Sequence, residues 1–240
     1  YFPKFFHPDP TVERQSGFLT PKLNNSNILG SSIGLPYFNV ISDSKDYTFS
    51  PTIFSENTQI FQNEYRQVNE HSSFIVDFGY TRGFDSGETN KNKNINHLFA
   101  EFKKNLNLKK FISSDIKMFL ERTNKDSFLK IFSNSLLDSD VKPKNNDILK
   151  SGIDLSFENT NYNISGGVDI YEDLTKLNND RYQFILPYYN FSNNPINTNF
   201  GKINISSIGN NILDNTNNVK ARIINDLSFN FNDNIFEKIG

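Results

Sequence analysis

The chain has 240 residues and a formal net charge of -2, with its Lys and Arg scattered rather than clustered, so no global field draws it to nucleic acid. Cysteine is absent, which excludes a disulfide framework and thiol chemistry. No stretch approaches the roughly 18 consecutive apolar residues of a membrane helix, but a barrel strand needs only about 9–11 alternating ones, so a membrane sheet stays open.

The opening YFPKFF predicts a strand over Tyr1–Phe6. It lacks the charged start, long apolar run and small-residue cleavage site of a signal peptide, and the chain reads as a segment whose beginning lies elsewhere. His7-Pro8-Asp9-Pro10 ends that strand, and Thr11–Asn25, with Gly17 and Pro21, predicts a connector. Two strands follow, over Asn27–Ile41 and Asp46–Phe54, joined by a polar turn at 42–45. In the first, Leu29, Ile33, Leu35 and Tyr37 share one face, and Gly30, Ser32 and Gly34 the other. Each carries a proline, Pro36 and Pro51. Proline cannot donate to a ladder, so a pair of them in consecutive strands predicts a deliberately weak pairing.

Period-2 alternation continues over Ile60–Val68, Ser73–Tyr80, Gly152–Glu158, Tyr162–Ile170, Arg181–Asn190, Gly201–Ile208 and Val219–Phe231. In Arg181–Asn190 it puts Tyr182, Phe184, Leu186 and Tyr188 on one side. Asn96–Leu106 and Ser114–Thr123 read as strands, with helix the competitor over Asn96–Phe119, where apolar spacing is mixed. Thr81–Ile95 reads as a loop, and Asn124–Asn146 as a long polar excursion with a short helical or strand piece at Phe128–Phe132. The result is all-β: about eleven strands after the connector, in sequential hairpins without helical crossovers, hence an antiparallel meander. Connections after odd-numbered strands are shorter than those after even-numbered ones; for a chain entering from a periplasmic jellyroll this runs against the rule that short turns are periplasmic, so either the strand count slips by one or the rule is inverted here.

Alternation alone fits a soluble β-sandwich binding module as well as a membrane barrel. Two features favour the barrel: polar faces that mix Asp, Glu, Lys, Arg and Asn, and apolar faces rich in Phe and Tyr. A general porin or receptor barrel is the other alternative.

Phe2-Pro3, Arg14-Gln15-Ser16-Gly17-Phe18-Leu19, Pro21, Leu35-Pro36-Tyr37, Asp46 and Thr48-Phe49-Ser50-Pro51 form an ordered series that resembles the LptD family of LPS-assembly proteins. Glu64-Tyr65-Arg66, Tyr171-Glu172-Asp173-Leu174, Asp180-Arg181-Tyr182 and Ile224-Asn225-Asp226-Leu227 extend the resemblance along most of the chain. It implies the end of a periplasmic β-jellyroll and connector at residues 1–25 and the incomplete N-terminal part of a large outer-membrane barrel at 26–240. It implies lipopolysaccharide as cargo, an LptE-like lipoprotein plug, an LptA-like jellyroll bridge docking upstream, outer-membrane lipid around the barrel, and a periplasmic N-terminal end. Pro36 and Pro51 would form a lateral gate in the first two strands. Arg14, Gln15, Ser16, Gly17 and Pro21 would shape the jellyroll–barrel junction. Lys117, Asp154, Asp169, Arg181, Lys202, Lys220, Arg222 and Asp226 would lie on the lumenal polar face, the cations paired with Asp154, Asp169 and Asp226.

Catalytic signals are lacking. His7, His71 and His97 sit in separate segments without ligand spacing and read as solvated side chains. The adjacent Glu172-Asp173 reads as turn chemistry rather than an acid–base pair, and no nucleophile or phosphate motif occurs. Neither an enzyme nor a cofactor is expected.

Overall fold

The computed structural model describes residues 14–84, 94–213 and 218–231; the strand expected at Tyr1–Phe6 lies outside them. The described strands form one antiparallel meander, with about a twentieth of the chain helical, as part of a β-barrel would. They run β1 (Gly17–Phe18), β2 (Lys22–Ser26), β3 (Gly30–Gly34), β4 (Tyr37–Ser42), β5 (Lys45–Phe54), β6 (Gln59–Asn69), β7 (Ser72–Arg82), β8 (Ile95–Asn105), β9 (Ser113–Thr123), β10 (Ile148–Glu158), β11 (Tyr162–Asp173), β12 (Tyr182–Asn193), the short β13 (Ile196–Thr198), β14 (Gly201–Leu213) and β15 (Val219–Phe231). The sheet is open, with β1 and β2 along one edge and β15 at the other. The region 96–119, ambiguous by apolar spacing, is strand at both ends.

The first strands differ from expectation in one respect. The expected connector carries β1 and β2, two halves of a broken edge strand laid against β4 and β3. β3 and β4 are likewise two halves of one strand, both paired to β5. The polar run Lys22–Ser26 hides this strand from a pattern search, because it lies exposed at the edge and carries a single apolar residue, Leu23. Counting it moves every later turn to the opposite end. The chain then enters the sheet at the rim of the tight turns 43–44, 70–71 and 159–161, while the three longest connections, 83–94, 124–147 and 174–181, share the other rim. The conflict over connection lengths came from this missed strand.

One face is apolar and uncovered: Ile33, Phe78, Leu98, Met118, Ile153, Ile205 and Leu227 are all exposed. Such a continuous surface is far larger than a soluble monomer tolerates. The other face is polar over most of its height, carrying Asp46, Thr48, Ser50, Gln62, Glu64 and Asp77. It is not polar throughout. At the long-loop rim it becomes the hydrophobic core, where Phe54, Ile60, Ile95 and Phe99 meet Phe84, Leu149 and Leu174. Leu29, expected on the apolar face, joins this core from the 27–29 turn. The core forms because the 124–147 excursion folds back over it. Its helix α1 (Phe128–Phe132) seats Phe128 and Leu129 in full burial, and the Phe132 ring meets Phe54 and Phe84 edge-on at centroid distances of 6.4 and 5.3 Å.

Two glycines make room for rings on this inner face. Gly79 pairs with His97, and a methyl at Gly79 would overlap the imidazole. Gly152 pairs with Phe119, and its added carbon would lie 2.9 Å from Phe119 Cζ. In each case the ring of one strand occupies the space that a side chain on the paired glycine would need. A two-residue irregularity at Leu186-Pro187 shifts the register of β12, so Tyr188, expected beside Tyr182 and Phe184, turns to the opposite face.

Phe132→Ala should cost the docked excursion about 3–5 kcal/mol, the usual loss for truncating a buried Phe. Limited proteolysis should then cut within 124–147 while the strands stay protected; an unchanged digestion pattern would show that the helix is not held by its core contacts.

Candidate functional site

Three prolines fall in one transverse band across the first three strands. Pro51 lies within β5, Pro36 in the break between β3 and β4, and Pro21 in the break between β1 and β2. The β3–β5 and β4–β5 ladders share one register, so the break is not a slip: Leu35 faces Pro51, and Pro36 faces Ser50. Leu35 N–H donates to Pro51 O at 3.1 Å, and Leu19 N–H to Pro36 O at 2.8 Å. In an antiparallel pair each of these bonds has a return partner. Here neither return exists, because the residue that should donate is proline. Pro51 thus removes one bond between β3/β4 and β5, and Pro36 one between β1/β2 and β3/β4. Pro21 sits where 19–21 on the edge strand face only 35–36, a bulge. Each missing bond lowers ladder stability by about 0.5–1.5 kcal/mol. Pro36 and Pro51 thus occupy the second and third strands of the sheet rather than the first two, and Pro21 the first.

Below the band, at the short-turn rim, the carboxylate of Asp46 is a hub. Its side chain is 7% exposed and accepts from Arg14 and, at 2.8 Å, from Arg66 Nε, which also lies 3.5 Å from Glu64. Arg14 further donates to Asp43 O at 3.3 Å and stands 5.6 Å from the Phe38 ring centroid. Ser16 Oγ accepts from Val40 N–H at 2.8 Å, and Gly17 pairs with Phe38. The Arg14–Gly17 segment is therefore laid along the β4–β5 hairpin next to its turn, with Gln15 exposed.

The remaining candidates separate. Arg181 stands off the strand face, in a 3₁₀ turn (Asn178–Arg181) at the long-loop rim. There it holds Asp126 through two bonds of 2.9 and 2.6 Å and Glu172 through one of 2.7 Å; the hydrogen bonds to Asp126 raise its already high pKa. Glu172 also accepts from Arg122 at 2.8 Å and from Tyr182 at 3.1 Å. This second hub ties the root of the excursion to the 174–181 connection. Lys117, Asp154 and Arg222 lie in one transverse row of the inner face, linked through Gly167, Tyr188 and Asn210. Asp169 and Lys220 lie in the next row, linked through Ile185 and Ile212. Lys202 and Asp226 occupy the same face of β14 and β15, opposite Asn230 and Ser206. The pairing differs from expectation: Lys117 meets Glu101 at 3.0 Å, and Asp169 meets Lys150 at 3.2 Å.

His97 is not solvated. Its side chain is fully buried between the rings of Phe99 and Phe128, each 4.9 Å away, and its Nε2 lies 3.1 Å from Asp77 Oδ1. Gln62 donates to Asp77 at 2.7 Å and accepts from Leu137 N–H at 2.7 Å, fixing the excursion to the sheet. The only trace of this network in the sequence is three polar residues, Gln62, Asp77 and His97, at inward positions of successive strands. His71 is exposed, and His7 lies outside the described residues.

No family model matches the chain. Over 67 residues, 28% of its length, it is 38% identical to the LPS-assembly protein LptD of Polaromonas sp. (strain JS666 / ATCC BAA-500). Over 87 residues, 35% of its length, it is 25% identical to the LPS-assembly protein LptD of Nitrosomonas europaea. These matches span 8% and 12% of the two relatives' own lengths.

Asp46→Asn should loosen the entry strand by about 1–2 kcal/mol, a buried-pair loss discounted because both arginines are more than a third exposed. Amides at 17–19 should exchange with deuterium about tenfold faster while β6–β8 are unchanged; equal slowing or quickening throughout would place the effect elsewhere.

Proposed function

We propose that this chain forms the first part of the barrel wall of an LPS-assembly protein of the LptD kind in an outer membrane, and that the proline band lets this wall part sideways. The band carries the reading: three prolines aligned across the entry edge of the ladder, in a sheet whose outer face suits lipid. The partial likeness to two LptD proteins supports lipopolysaccharide as the cargo. A porin gains nothing from a weak edge, and a soluble sandwich would bury its Phe and Tyr rows against a second sheet.

The physical problem is one of two solvents. Lipopolysaccharide joins a hydrated saccharide to several acyl chains, and neither end tolerates the other's surroundings. A wall with a polar inside and an apolar outside serves both only if it can open along a seam. On this reading the short-turn rim is periplasmic, in line with barrels in general. The chain then enters from a periplasmic jellyroll that ends before Arg14, and the Arg14–Gly17 segment and Pro21 form the junction with Asp46 as its anchor. Acyl chains pass into the membrane there, while the saccharide follows the inner face. An LptE-like plug would fill the remaining lumen and an LptA-like bridge would dock upstream. No bond is made or broken, so the chain acts as a conduit rather than an enzyme.

Replacing both Pro36 and Pro51 with alanine restores two ladder donors. At about 0.5–1.5 kcal/mol each, and more where lipid replaces water, seam opening should slow on the order of tenfold. Delivery of lipopolysaccharide to the cell surface should fall while barrel assembly is intact. Wild-type delivery by the double variant would sink the gate.

A further inference from the structure

The connection 106–112 joins β8 to β9 at the short-turn rim and is longer than the tight turns on either side of it, 70–71 and 159–161. Its shape is fixed by bonds at every step. Asn107 takes a φ of 51°, a left-handed conformation that Asn tolerates, and its N–H donates to Asn105 Oδ1 at 2.8 Å. Leu108 N–H donates to Ser114 Oγ at 3.1 Å, Phe111 N–H to Leu108 O at 2.9 Å, and Ile112 N–H to Glu158 O at 2.8 Å. Asn159 Nδ2 donates to Lys110 O at 2.6 Å, which ties this connection to the next turn along the rim.

The bonds hold the connection against the outer face. Ser114, Phe157 and Ile164 are outer-face positions in one transverse row. The Phe111 ring lies 5.3 Å from that of Phe157 and 6.4 Å from that of Tyr162, whose ring lies 6.1 Å from Phe191. An aromatic cluster thus stands at the rim of the apolar face, the level at which barrel girdles meet lipid headgroups. Leu108 and Ile112 of the same connection stay exposed. Three lysines accompany the rings. Lys109 and Lys110 are exposed in the connection, and Lys104 takes an outer-face position opposite Ile116, one residue from the end of β8. Among the described residues none of these three ammonium groups meets a carboxylate. Asp115 and Glu158 of the adjoining strands take inner-face positions, where they accept from Asn105 and Ser113. A lysine on a lipid-facing wall keeps its charge hydrated by reaching toward the rim, which directs Lys104 to the level of Lys109 and Lys110. Unpaired cations bordering a ring-lined apolar wall fit a ligand that is anionic at one end and hydrocarbon at the other. A soluble anion would leave the rings without a partner, and a neutral lipid the lysines.

We propose that the connection 106–112 and Lys104 form a binding site for an anionic glycerophospholipid of the membrane leaflet at the short-turn rim. Its phosphate is held by Lys104, Lys109 and Lys110, and its acyl chains lie against Phe111, Phe157 and Tyr162. The site rests on the reading of the sheet as the wall of an outer-membrane barrel, and it adds to that reading a resident lipid on the outside of the wall, separate from any cargo.

The test offers phosphatidylglycerol and phosphatidylcholine of equal chain length in competition to the full-length protein in detergent, and counts retained lipid by native mass spectrometry. Phosphatidylglycerol should be favoured by about tenfold or more, since each lysine at a lipid surface contributes a several-fold preference for anionic headgroups. The combined variant Lys104→Gln, Lys109→Gln and Lys110→Gln should bring the ratio to about one. Lys104→Arg, Lys109→Arg and Lys110→Arg together should keep it within about twofold of wild type, separating loss of charge from disturbed folding. A wild-type ratio near one, or a preference that survives in the glutamine variant, would overturn the site. Lipid A as a third competitor distinguishes the sources of phosphate: it should leave phosphatidylglycerol in place, and displacement that the glutamine changes abolish would give the surface to the cargo instead. The two readings fail separately. If depleting the protein leaves surface lipopolysaccharide unchanged, the assembly function falls; if depletion blocks delivery yet the lipid ratio is near one, the lipid site alone falls.

Discussion

On the proposed reading of this sheet as a barrel wall, the backbone hydrogen bond has no substitute in hydrocarbon, and that constraint organises the described strands. Where water is absent, each N–H and C=O must find a partner in the next strand. A meander of adjacent antiparallel strands meets this demand with local connections only, and β5 to β12 do so in strict sequence order. Against that background proline is the one residue whose backbone cannot comply. Its placement at 36 and 51 removes one half of a reciprocal pair each time, whereas Pro187 of β12 falls in a bulge that has already left the ladder. An isolated proline at an edge costs little; two on neighbouring interior strands make a line along which the sheet bends easily.

The second constraint is that the two faces answer to different surroundings, and the inner face is itself divided. Near the short turns it holds ion pairs and hydroxyls in a wet trough. At the long-loop rim it is dry, because the 124–147 excursion brings its own apolar side chains to cover Phe54, Ile60, Ile95 and Phe99. Burying five phenylalanines and several aliphatics there removes a few hundred Å² of apolar surface from water, at roughly 25 cal/mol per Å². That is ample to hold a segment otherwise rich in Asn, Asp, Ser and Lys. The Gln62–Asp77–His97 network under α1 adds direction to this non-specific adhesion, since a bond to Leu137 N–H is made at one position only.

Much of the fold was legible because the side-chain period of a strand is two, and apolar Phe, Tyr and Ile mark one face plainly. Val219–Phe231 has the bounds its alternation predicts, and Phe128–Phe132, expected as a short helical or strand piece inside the excursion, is helical. The failures have physical causes. Lys22–Ser26 lies exposed at an edge with Leu23 as its one apolar residue, so no alternation marks it. Tyr188 was put on the wrong side because the Leu186-Pro187 irregularity inserts a residue that no periodicity can reveal. The ion-pair hubs escaped for another reason: Asp126 and Arg181 are 55 residues apart, and only the register of intervening strands brings them together. Asp46, Arg66, Glu172 and Arg181 were nonetheless among the residues that carried the family resemblance, which suits positions tied to one another rather than to the local pattern.

These elements together determine how the weak band can act. A ladder lacking bonds at one end would simply fray, and a frayed edge in a membrane exposes backbone to lipid. Here both ends of the first strands are held. At the short-turn rim Arg14 and Arg66 converge on Asp46, joining the entry segment to β5 and β6. At the opposite rim Leu29, Phe54 and Ile60 anchor the turns around β3, β5 and β6 in the dry core. With its ends clamped and its middle short of two hydrogen bonds, the edge can give only at the band. On the proposed reading, the wall parts by a bend of the first strands about Pro21, Pro36 and Pro51, which would open a gap beside them and close again without loss of register.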